Sequence, residues 1–280
     1  MPRSREQPSG VTVRPGNETA MDVYVHRVDG FAGPVTVAPK NLPAGWLAKP
    51  AVIGTNQKWG TLFLFHAPGP NRLVAFSKWS AIVRPVVPEL FTELTFDARF
   101  DLDGKTESRP VATATIVHAL PQNSNNPAIT RLDQSLPVAV RNRPILPSFS
   151  LMADLAKAVG KDGKPLAGPL KLKPGERAVV PIRASWAGGE RPAINLTMEP
   201  THSDNAKSPF SGNNANTQVT IAKDKSEASV TLDIRPNALP GTYRATIRGD
   251  GPVTATVVPG KKQAMTVSAW ATIDVTVIAK

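Results

Sequence analysis

Residues 170 to 186 read LKLKPGERAVVPIRASW, and residues 11 to 27 read VTVRPGNETAMDVYVHR. Each opens on apolar, polar, apolar and basic residues, passes through Pro-Gly and a polar residue, and enters an alternating strand. Pro15 answers to Pro174 and Gly16 to Gly175, an offset of 159 positions. A chain that carries one strand-turn-strand signal twice is constrained to two versions of one β unit. Its 280 residues allow about 140 to each, enough for an independent core.

The rest of the chain reads as short strands cut by turns, with 28 Pro and 20 Gly spread along its length. Met21, Val23 and Val25 share one face of a half-buried strand, and Val35 and Val37 point inward from the next. Trp46 is available as a core anchor, and Leu62 to Phe65 is apolar enough for a buried strand. Leu73 to Val83, carrying Trp79, is another. Glu93 to Asp103 alternates cleanly, the Asp103-Gly104 pair suits a type I′ turn, and residues 111 to 117 are expected to return beside that strand. Residues 121 to 127 read as a polar loop, and Arg131 to Arg141 as one closing strand.

Residues 142 to 150, with two prolines, suit a stiff connection between units. Residues 151 to 159 fit two helical turns or an opening strand equally well. Ala178, Val180, Ile182, Ala184 and Trp186 form the inner face of the second copy, where Pro181 suggests an edge strand or a bulge. A long polar loop lies between Pro200 and Thr217. Four alternating strands follow, with a turn expected at Gly249-Asp250-Gly251 and a last strand from Met265 to Ile278. VTATVV at 253 to 258 echoes VATATIV at 111 to 117 at an offset reduced to 142, which a hairpin between Glu89 and Arg109 would explain.

About seven strands per unit predict an all-β chain of two Ig-like (fibronectin III-like) Greek-key β-sandwich domains in tandem, 1–143 and 144–280. The first unit has only a short polar lead where the second has Phe149 to Ala153, so it reads as lacking its opening strand and the chain as part of a longer one. Trp46, Trp79, Trp186 and Trp270 are candidate core plugs, although Trp270 falls on the face opposite Val267 and Ile273.

Chemistry-bearing patterns are sparse. The chain has no Cys, which excludes disulfides and cysteine nucleophiles. The net charge of +11 is scattered over strand faces and turns, as at Arg244 and Arg248, and reads as a solvated surface. His26, His66 and His118 are isolated in sequence. His202-Ser203-Asp204 holds triad residue types, but three consecutive residues do not aim at one another. Asp101, Asp103 and Glu107 resemble half of a calcium loop without its remaining ligands, and a hairpin turn is the stronger reading. Lys58-Trp59 and Arg72 form at most a small basic and aromatic patch, so no nucleic-acid partner is expected. No catalytic, cofactor-binding or metal residue is assigned. No stretch reaches the length of a membrane helix, and the first ten residues lack a signal peptide's apolar core.

The opening motif, the GPVTV strand and LPAG turn (Gly33 to Val37, Leu42 to Gly45) and LPGTYRATIRG (Leu239 to Gly249) together resemble the tandem Ig-like modules of large bacterial secreted and surface proteins. Some of these accompany subtilisin-like peptidases. The resemblance implies a non-catalytic spacer, adhesive or accessory segment, extracellular, cell-surface or periplasmic. Its partner would be a protein, a cell-envelope component or other domains of a longer chain. Alternatives are the C-terminal accessory region of a secreted subtilisin-like protease precursor and a periplasmic two-domain chaperone, which would need an exposed edge strand.

Overall fold

The computed structural model describes residues 11–13, 18–66, 91–118, 129–140, 148–166, 169–187, 191–199, 209–211, 219–258 and 261–279. The Pro15-Gly16 turn, the strand expected at 73–83 with Trp79, the loop 121–127, Arg72 and His202-Ser203-Asp204 lie outside the described residues, as do most of 142–150 and most of the loop between 200 and 217. Frequent Val and Thr between Pro and Gly breaks give an all-β architecture, with no α-helix among the described residues.

The first half contains β1 (Val11–Val13), β2 (Glu18–Tyr24), β3 (Val35–Pro39), β4 (Trp46–Lys49), β5 (Ala51–Ile53) and β6 (Trp59–His66). It continues with β7 (Phe91–Leu94), β8 (Phe96–Leu102), β9 (Lys105–Val111), β10 (Thr113–His118), β11 (Ile129–Asp133) and β12 (Leu136–Val140). The second half contains β13 (Ser148–Ala153), a 3-10 turn (Leu155–Lys157), β14 (Val159–Gly160), β15 (Leu170–Leu172), β16 (Arg177–Ala187) and β17 (Ile194–Glu199). It closes with β18 (Phe210–Ser211), β19 (Val219–Ile221), β20 (Glu227–Ile234), β21 (Gly241–Val258) and β22 (Lys261–Val277).

The two halves pair their strands by one scheme. β1 runs parallel to β12, with Val11 opposite Val138, and β15 runs parallel to β22, with Leu170 opposite Val275. The segments related by the offset of 159 therefore occupy matching places. β3 lies between β5 and β8 as β17 lies between β19 and β21, and β6 lies between β2 and β4 as β20 lies between β16 and β18. Alternating apolar residues turn the strands' inner faces into two separate cores. One is built from residues between Val13 and Val140, the other from residues between Phe149 and Val277. β22 shows the sandwich-like logic most plainly: Val267, Ala269, Ala271, Ile273, Val275 and Val277 are buried while their neighbours are not. Each buried valine or isoleucine of this set contributes about 1.5–3 kcal/mol.

Several expectations hold in detail. Trp46, Val35, Val37, Leu62 and Leu64 are buried, and Met21, Val23 and Val25 pack partly buried against the same core. Asp103 and Gly104 take positive φ of 50° and 75° at the β8–β9 hairpin. The open reading of residues 151 to 159 resolves as the end of β13 followed by the 3-10 turn.

Others are corrected. The strand expected from Arg131 to Arg141 is two, β11 and β12, because the chain turns at Gln134-Ser135, where Thr113 Oγ1 donates to the carbonyls of Asp133 (3.1 Å) and Ser135 (2.7 Å). The arm that returns beside β8 is β9. Residues 113 to 118 pair with β11 instead, since β12 occupies the place beside β7. The first half is thus lengthened by the β10–β11 hairpin inserted between β9 and β12, and β22 passes the matching place unbroken; the β8–β9 hairpin has its counterpart in β21–β22. Gly249-Asp250-Gly251 is no turn, for β21 runs straight through it. The glycines serve close sheet packing: a Cβ on Gly249 would lie 2.6 Å from Leu151 Cδ1 and 2.8 Å from Ile194 Cγ2. Pro181 lies in the interior strand β16, not at an edge. Its carbonyl accepts from Asp154 N–H (2.8 Å) where β13 has ended and β14 has not begun, so the missing N–H faces a gap in the ladder.

Candidate functional site

The most informative arrangement lies where the halves meet. On β6, Leu62, Phe63 and Leu64 are all buried, so the strand is covered on both faces. Leu62 and Leu64 join the first core, whereas Phe63 turns the other way and meets the ring of Trp270 at 5.4 Å between centroids. Trp270 is accordingly not a core plug of the second half. It projects from the outer face of β22, which is why it breaks phase with Val267 and Ile273, and it is half-buried by the first half.

Backbone groups reinforce the contact. β15 covers β22 only from Val275 to Val277, leaving Trp270 beyond its reach. Glu18 Oε2 accepts from the Trp270 N–H (3.1 Å) and Lys49 Nζ donates to the Trp270 carbonyl (3.0 Å), while Lys49 also pairs with Glu18. Glu18 and Lys49 stand on β2 and β4, the two strands that flank β6, and the register sets Lys49 opposite Phe63 and Glu18 opposite Phe65, two positions along the strand. An ion pair this exposed at Lys49 is worth about 1 kcal/mol at most. The aromatic pair adds about 0.5–1.5 kcal/mol beyond its buried area and carries more of the contact.

A second contact is built by Arg27. Its guanidinium donates from Nε to the Gln57 carbonyl (2.9 Å), from Nη1 to Gly33 (2.5 Å) and from Nη2 to Gly54 (2.9 Å), fastening the turn 54–57 against residues 28 to 33. Burial pulls the Arg27 pKa down. The fastened turn presents Gly54 and Thr55 to β21. A Cβ on Gly54 would collide with the Tyr243 ring and with the Thr242 carbonyl, and one on Gly241 would collide with the Thr55 side chain. Nearby, Arg244 grips Asp274 with a two-point fork (2.6 and 2.7 Å) and donates its remaining arm to the Pro50 carbonyl. Steric fit between backbones, with glycine required on each side, sets this register.

Beside this second contact lies a cleft of about 550 Å³, lined from the first half by Arg27, Phe31, Asn56 and Lys58 and from the second by Asn237, Leu239 and others.

Tyr243 closes the second half beneath this cleft. Its ring is buried and its hydroxyl donates to the Leu239 carbonyl (2.9 Å), four residues upstream. Burial raises its pKa. The folded state thus favours the neutral phenol, so its contribution is complete below about pH 10, where unfolded tyrosine begins to ionise, and is lost as pH rises beyond. Tyr243→Phe is expected to cost about 1 kcal/mol at pH 8 and to lose less further stability than the parent between pH 8 and 10.5, measured by urea unfolding. Equal losses in both proteins would contradict the assignment.

The other residues singled out in the sequence take structural places. His66 is buried edge-on to Trp46 at 5.0 Å, and His26 is exposed. The backbone of His118 pairs with that of Ile129. Asp101 accepts from Thr106 Oγ1 (2.8 Å) across the hairpin, and Asp103 holds a left-handed turn position. No group of three or more His, Asp or Glu converges among the described residues. Trp59 packs edge-on to Tyr24 at 4.9 Å, beside Lys58. Among the described residues, no helix is long and apolar enough to cross a membrane.

Sequence reasoning missed the junction. Its signals were Phe63 inside a run apolar on both faces and a Trp270 out of phase with its strand. Arg27 gave none, since all three of its partners are backbone carbonyls, two of them about thirty residues away in sequence. No protein-family model matches the chain, and no curated protein matches it.

Proposed function

We propose that this chain is a non-catalytic tandem of two Ig-like (fibronectin III-like) Greek-key sandwiches, 1–143 and 144–280, serving as a spacer or ligand-presenting segment of a secreted or cell-surface protein. The observation that supports the reading is the shared pairing scheme, in which β1 runs parallel to the closing strand β12 as β15 runs parallel to the closing strand β22, while the other strand pairs are antiparallel. The Tyr243 hydroxyl bonded back to Leu239 supports it, because a tyrosine at the start of this strand, tied to the preceding corner, is a hallmark of Ig-like sandwiches. In the first half Thr92, opposite Val138, stands where Tyr243 stands opposite Val275, so that corner is tied in the second unit.

The junction suits a spacer: an aromatic pair, three charged side chains anchored on backbone, and glycines packed against the facing half resist rotation of one unit on the other. Interiors filled with aliphatic side chains leave the two units to act through their surfaces. Purified protein is expected to show no saturable turnover of peptide or ester libraries. Turnover that persists through repurification and follows a single side-chain substitution would overturn the reading.

A further inference from the structure

The cleft at the junction has an electrostatic character that the fastening of Arg27 alone does not require. Its described lining includes the guanidinium of Arg27 and no carboxylate. Arg27 is held by three neutral carbonyls, and burial is what displaces its pKa, with no acidic neighbour acting in the opposite sense. A partly buried cation without a compensating anion lowers the cost of bringing one in. Around it stand the amides of Asn56 and Asn237 and the hydroxyl of Thr55, with Phe31, Ala238, Leu239 and Pro209 as apolar walls. The Phe31 ring lies 5.4 Å from the Arg27 guanidinium carbon, so an apolar surface adjoins the charge directly. Leu239 is 53% exposed, although its carbonyl is fixed by Tyr243, so the wall is rigid yet open to solvent.

From this arrangement we propose that the junction cleft binds a carboxylate carried on an apolar body, such as the terminus of a peptide ending in an apolar residue. The carboxylate sits toward Arg27, the amides of Asn56 and Asn237 orient it, and the apolar body covers Phe31 and Leu239. A cleft of about 550 Å³ accommodates a group of that size. The inference goes beyond the spacer reading and stands whether or not that reading holds, since the cleft needs only the two halves in contact.

The test is a titration of the whole chain with N-acetylphenylalanine, with its neutral amide and with inorganic phosphate, followed by amide NMR shifts. Saturable shifts at Thr55, Asn56 and Asn237 are expected with the carboxylate and not with the amide. Lys58→Glu and Asn237→Asp each place negative charge in the cleft and are expected to weaken binding at least tenfold, whereas Lys171→Glu, on β15, is expected to leave it unchanged. Each variant's spectrum reports whether it remains folded. Equal binding of the neutral amide would overturn the role of charge, and equal binding of phosphate would overturn the role of the apolar walls. Absence of shifts at the three residues would overturn the site.

Discussion

Trp270→Ala is expected to uncouple the halves at a cost of about 2 kcal/mol, less than the 3–5 kcal/mol of a fully buried tryptophan because this ring is half-buried. The backbone of residue 270 keeps its bonds to Glu18 and Lys49, so the loss isolates the ring's contact with Phe63. Urea unfolding of the variant is expected to separate into two transitions, with the second core retaining its own. Lys49→Ala removes the ion pair and one backbone bond and is expected to cost about 1 kcal/mol, without separating the transitions. If Lys49→Ala costs more than Trp270→Ala, charge and not aromatic packing holds the junction.

Gly249→Val is expected to destabilise the second half by about 2–3 kcal/mol through overpacking. The added atoms enter the space between β21 and the inner faces of β13 and β17, already filled by Leu151, Ile194 and Leu196. Gly104 supplies the contrast. It takes φ of 75° in an open hairpin, with free space where the first carbon of a side chain would stand. Gly104→Asn, which tolerates the left-handed region, is therefore expected to change stability by about 0.5 kcal/mol or less. Thermal and urea unfolding of the two variants decide the matter. Tolerance of Val at 249 would mean that the two sheets do not approach there as closely as the structure shows.

These two glycines show where the sequence is legible. Asp103-Gly104 announces itself because the turn is local: two adjacent residues with positive φ between alternating strands. Gly249-Asp250-Gly251 carries the same composition, yet the chain runs extended, and its cause lies in side chains on strands far off in sequence. Asp250 accepts from Ser268 (2.6 Å) and Arg248 (2.9 Å) on the outer face in place of forming a turn. The repeat at Val11 and Leu170 was likewise readable, because both segments answer to the same pairing demand. The place of each beside a closing strand was not, since parallel partners share no local signature. Pro181 followed the rule that proline avoids ladder positions, but the rule names the need for a gap and not its source.

The junction was readable only as misfit. Trp270 out of phase and Phe63 in a run apolar on both faces each signal a second covered surface, and neither says that they cover one another. Tyr243 was visible only as part of the LPGTYRATIRG motif, while its bond to Leu239 depends on the corner the chain makes there.

A chain without cysteine accepts spin labels cleanly at engineered pairs. Labels at Lys105→Cys in the first half and Lys161→Cys in the second, both exposed, report directly on whether the halves are fixed. Pulsed dipolar spectroscopy is expected to give one narrow distance in the parent that broadens when Trp270→Ala is added. A broad distribution in the parent, or one unchanged by that substitution, would contradict a junction locked around Phe63 and Trp270.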